Sequence, residues 1–103
     1  MTTPTTDTQA EITALKATPF ATLPAADLEP TAARVALRLT DIGTAANKAG
    51  DVQRSFDLWD TADKLYEVHV PTLERCCGDR EEYDNLLATA RADFADIMEA
   101  LKV

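Results

Sequence analysis

Three stretches of the chain place apolar side chains at alternating steps of three and four residues, the period of a helix with one buried face. In the first, Ala32, Val35, Leu39, Ile42, Ala46 and Ala49 form one stripe that starts near Asp27 to Pro30. Gly50 closes it as the residue that takes left-handed backbone angles most readily, and Asp51 follows as an N-cap for the next helix. That second helix carries Ser55, Leu58, Trp59, Ala62, Leu65, Tyr66 and His69 on one face, and Pro71 should end or kink it. The segment "TLERCC" adds about two turns before Gly78. The third stripe is the cleanest: Tyr83, Leu87, Ala90, Phe94, Ile97 and Leu101, with Asp79, Glu81 and Glu82 at the positive end of the helix dipole.

The amino-terminal part is weaker. "MTTPTT" reads as a disordered tail over residues 1–6. Thr8 and Glu11 have the spacing of a capping box and start a short helix that runs to Lys16, with Ile12 and Leu15 as its sizeable apolar groups. An irregular connector holding Pro19, Pro24 and Pro30 follows. No strand pattern competes with these helices. The expected fold is all-α: a small antiparallel bundle of three long helices plus the short N-terminal one, in a single domain over 7–103. Its 46% hydrophobic content supports a core, but much of that is alanine. Modest stability, or stability borrowed from a partner, follows.

Composition narrows the choice of function. A net charge of −8 disfavours nucleic acid, whose phosphates are met mainly by Lys and Arg. The same charge favours encounter with a protein that has a basic surface. No basic start precedes an apolar run, and no apolar run is long enough for a membrane span. Cys76 and Cys77 are adjacent and are the only two cysteines. A cytoplasmic chain with reduced thiols is the simplest expectation, and the Ala-, Thr-, Asp- and Arg-rich composition suits a bacterial or phage genome.

Neither metal nor catalytic chemistry assembles from the motifs. His69, Cys76 and Cys77 are the soft ligands, one short of a closed zinc site and without its spacing. Neighbouring cysteines on a helix point about 100 degrees apart. A thiol nucleophile needs a base, and His69 would sit about two turns from Cys76, beyond hydrogen-bond reach. No glycine-rich phosphate loop, HExxH or GxSxG motif occurs. Catalytic, cofactor and metal residues are therefore expected to be absent.

The stretch "ALRLTDIGTAANKAGDVQRSFDLWDTADKL", Ala36 to Leu65, resembles a single tetratricopeptide repeat. Ile42-Gly43, Lys48, Gly50-Asp51, Ser55, Trp59 and Ala62 follow that family's order and spacing. The chain departs from the pattern at Ala46, where a large residue is usual, and at Glu67, where the closing proline is missing; Pro71 comes four residues later. The resemblance implies a helical hairpin that binds protein without catalysis.

Two apolar residues fall on the wrong side of their helices. Phe56 lies about 120 degrees from Ala62, between Asp60 and Asp63, and Leu37 points roughly opposite Ile42. Either the N-terminal segment covers them with Ile12, Leu15, Phe20 and Leu23, or they are contacts ringed by acids. The leading expectation is a helical adaptor or inhibitor that binds a partner protein through Phe56, Leu37, Asp60 and Asp63. Its own copy is a further candidate partner, because alanine-rich seams also suit a homodimer. The alternative is an acidic decoy that fills a basic nucleic-acid groove, as an antitoxin or a phage-encoded inhibitor would.

Overall fold

The computed structural model describes residues 5–102. It contains α1 (Thr5–Lys16), α2 (Ala25–Lys48), α3 (Val52–Glu67) and α4 (Arg80–Ala100), with no strand among the described residues. The fold is all-α, and the helices share one core built on Ile12, Phe20, Leu28, Leu39, Leu58 and Phe94. Most of the expected tail lies outside the described residues, but Thr5 and Thr6 are already helical. Thr8 is therefore inside α1 and is not its N-cap. Docking of the fully buried Ile12, more than any capping hydroxyl, holds a helix this short in place.

The connector is shorter than its three prolines imply. α2 begins directly after Pro24, and Pro30 sits inside it. Proline there removes one ladder hydrogen bond, but the freed carbonyl is in an exposed opening turn. Burial of Leu28, Thr31 and Ala32 around the same turns outweighs that loss.

α2 ends as the sequence indicates. Gly50 takes φ 91°, its N–H donates to the Asn47 carbonyl at 3.0 Å, and Asp51 N–H donates to the Ala46 carbonyl at 2.9 Å. This pairing closes two carbonyls that the helix end would otherwise leave open. Asp51 then accepts from Arg54 N–H at 3.2 Å and caps α3. The chain turns back, and α2 and α3 pack as a long hairpin, the most extensive helix pair in the molecule.

α3 stops at Glu67, four residues ahead of Pro71, because Val68 is already extended. His69, beyond the helix end, is exposed; within α3, Tyr66 is exposed and Trp59 is half-buried. The expected two turns over "TLERCC" reduce to one tight turn. Thr72 Oγ1 accepts from Arg75 N–H, Cys76 N–H reaches the Thr72 carbonyl, and Cys77 turns left-handed at φ 54°. Gly78 follows at φ 79°, and its N–H donates to the Leu73 carbonyl at 3.0 Å. Two successive left-handed residues cannot continue a right-handed helix. Asp79 caps α4 through Glu82 N–H at 3.1 Å.

α4 returns antiparallel to α3: Asp93 and Asp96 line one cleft with Lys64 and Glu67, while Ala100 and Lys102 line another with Asp57 and Gln53. Ala90, Phe94, Met98 and Leu101 are its buried face. The strap 17–24 crosses this face. The Phe20 ring stacks on Phe94 at 4.8 Å, and Arg91 donates to the carbonyls of Phe20 (3.1 Å) and Leu23 (2.6 Å). Lys16 donates to the Leu101 carbonyl, closing the end of α4 with a positive charge. Glu11 pairs with Arg38 at 2.6 Å and ties α1 to α2. Both partners are substantially exposed, so that bridge adds little stability. The molecule measures 55 × 19 × 19 Å, about two helix diameters across. A body this narrow covers α3 on only part of its circumference.

Candidate interaction face

The N-terminal segment does not cover the stray apolar residues. Ile12 and Phe20 turn into the core instead, while Phe56 stays 55% exposed and Leu37 57% exposed. The reason is positional. Glu11 and Arg38 bring α1 onto one shoulder of α2, whereas Leu37, a residue earlier, points about 100 degrees away from it.

Phe56 does not stand alone. Its ring lies 6.0 Å from that of Trp59, tilted by 56°. Trp59 is itself pinned: its indole N–H donates to the Thr40 carbonyl at 3.3 Å, across the hairpin. Gly43 makes that position possible, since a Cβ there would sit 2.8 Å from the indole nitrogen. Val52 (46% exposed) and Tyr66 (58% exposed) continue the same line along α3. Val52, Phe56, Trp59 and Tyr66 recur at steps of four, three and seven, which keeps them on one side of a helix. Leu37 precedes Thr40 by one turn on the facing shoulder of α2.

Of the two expected carboxylates, Asp63 belongs to this line and Asp60 borders it. Asp60 pairs with Lys64 at 3.1 Å and also lines a cleft of about 540 Å³ between α3 and the end of α4, with Asp57 and Asp96. The structure thus groups Phe56 and Asp63 with Trp59, sets Leu37 across the hairpin, and turns Asp60 partly toward a second face. The sequence pattern gives no signal for Val52 and sets Trp59 and Tyr66 in the buried seam. Trp59 and Tyr66 lie at one edge of that stripe on the helical wheel, and their place at its margin was the available signal.

No family model, curated protein or solved structure matches this chain.

The thiols divide sharply. Cys76 is buried and Cys77 exposed, and both are free. Burial pushes the Cys76 thiol up from its ordinary value of 9.0, and the carboxylates of Glu82 and Asp79 and the neighbouring Cys77 add in the same direction. A thiol-specific dye at neutral pH should label Cys77 rapidly and Cys76 only through opening of the 72–78 turn. Equal labelling rates in the folded protein would contradict this burial. An unfolded chain ionises Cys76 first, so this group should leave stability flat below its ordinary value and lower it as pH climbs above about 9.

No cluster of three metal-binding side chains and no helix long and apolar enough to cross a membrane occurs among the described residues. His69 is exposed and lines an open cleft with Glu67, Asp93 and Asp96. No buried side-chain polar atom lacks a hydrogen-bond partner there.

Proposed function

We propose that the protein is a non-catalytic protein-binding module that engages its partner through the α2–α3 face. Phe56 and Leu37 supply apolar contacts, and Asp63 and Asp60 supply charge. The observation that carries this reading is Phe56, exposed beside a tryptophan that is already immobilised. Aromatic side chains held rigid before binding lose little entropy on contact, which is why they dominate interface energetics. The tetratricopeptide-like order of residues in the same hairpin supports the reading.

Phe56→Asp should leave helicity unchanged and weaken partner binding by about 2 kcal/mol or more, roughly thirtyfold. The measurement is circular dichroism together with affinity capture from the native host, wild type beside variant. Capture of the same protein in the same yield by F56D would exclude this face.

The decoy reading draws on the cleft between α3 and α4, where Asp57, Asp60 and Asp96 stand with Lys64 and Lys102. A complex made there would weaken steeply with salt and survive F56D.

A further inference from the structure

We infer that the partner bound by this face is a basic amphipathic helix, an inference that rests on the function proposed above. Three observations lead to it, concerning backbone, length and charge.

α3 has no open backbone edge to offer. Between its ends its main-chain groups are spent within the helix, so an extended strand could not add along it through main-chain hydrogen bonds. What it presents is a straight ridge of side chains beside a shoulder of small ones, Ala33, Thr40 and Thr44, with Leu37 rising among them. Such a surface is read by another helix whose side chains settle between ridge and shoulder. Val52 to Tyr66 spans about 21 Å, the length of roughly four helical turns.

Charge selects the kind of helix. Asp63 stands within the ridge and Asp60 and Glu67 along its outer border, against one cation on that side of α3, Lys64, which is already paired with Asp60. Asp63 makes no ion pair among the described residues. Apolar contacts on the partner are therefore flanked best by Arg or Lys, where they meet Asp63 and Glu67 at the rim. A second copy of this chain would bring another net −8 to the same border.

The test uses two synthetic helices of about 18 residues that share one leucine face. One is flanked by lysine and arginine, the other by glutamate. Trp59 is the single tryptophan of the chain, so its emission reports occupancy of the face directly. The basic peptide should shift Trp59 emission to the blue and bind at least about tenfold tighter than the acidic one. Phe56→Asp should cost at least about tenfold in that affinity although it adds a negative charge, which separates face binding from simple charge attraction. Asp63→Lys should narrow the preference between the peptides.

Equal binding of both peptides, no binding of the basic one, or indifference to F56D each overturns the inference. So does a dimer of the chain alone that F56D dissociates, because the face is then filled by a second copy. If the peptides fail while capture from the host still depends on Phe56, the partner chemistry is wrong and the binding face stands. If capture ignores Phe56, the proposed function itself falls.

Discussion

Replacing Phe94 with alanine should lower the unfolding free energy by about 3–5 kcal/mol. Phe94 is almost completely buried, and its ring stacks on Phe20 with 21° between the planes. The pair joins the strap to α4 beside the two Arg91 hydrogen bonds. Phe20 anchors the strap, and Phe94 stands at the centre of the short buried face of α4. Truncation removes apolar area and leaves a void that the Arg91 bonds to the strap keep from collapsing. In a small, alanine-rich domain, where total stability is of the order of 5–10 kcal/mol, such a loss populates the unfolded state visibly. Urea denaturation should show a lower midpoint with an unchanged slope. Phe20→Ala should be of comparable size, and the double variant less damaging than the sum, since the stack itself contributes about 0.5–1.5 kcal/mol. A loss below about 1 kcal/mol for F94A would mean that α4 is not held by this contact.

Enlarging Gly43 should be the next most damaging change, and its effect should grow with side-chain size. A Cβ at this position would approach Trp59 to 2.8 and 2.9 Å and Leu58 Cβ to 3.3 Å. The indole has nowhere inward to go, and Leu58 Cβ is fixed to its own backbone. Trp59 must therefore swing out and release the Thr40 carbonyl. Overpacking of this kind costs about 1–3 kcal/mol. Gly43→Ala recovers about 1 kcal/mol of that through helix propensity, so its net loss is small. Gly43→Leu gains nearly the same propensity but must seat a far larger side chain in that space, and it should lose about 2 kcal/mol or more. Both should redden Trp59 emission in the folded state. Unaltered emission in G43L would show that the tryptophan does not rest on α2. If Trp59 is part of the binding surface, partner affinity should fall in step with the spectral change.

Much of the architecture was legible because it depends on neighbours in sequence. The Gly50-Asp51 junction announced itself through the two residue types that close one helix and cap the next, and both play those parts. Asp79 likewise caps the helix whose stripe follows it. Errors cluster where distant packing overrode local preference. Local preference puts Pro30 in a connector, yet the burial of Leu28 and Ala32 carries α2 back past it to Pro24. The end of "TLERCC" is a local exception: left-handed Cys77 and Gly78 break the helical pattern there.

The candidate face divides in the same way. That Phe56 and Leu37 lie off the buried stripes follows from the helical period alone. Whether anything of this chain covers them was not a local question, because the N-terminal segment had the apolar side chains to do so. Its destination was decided when Ile12 and Phe20 found the interior between α2 and α4. The exposure of Tyr66, and the pinning of Trp59 beside Phe56, were decided there too.

By itself, then, the order of residues determined the number and kind of helices, the hairpin junction and the acidic character of the surface. Those properties arise from backbone geometry and composition, which act within a few residues. Only the tertiary arrangement decided which sides of α2 and α3 remain open. Burial depends on which distant segments compete for the same apolar area, and a body two helices wide cannot shelter every side of a helix.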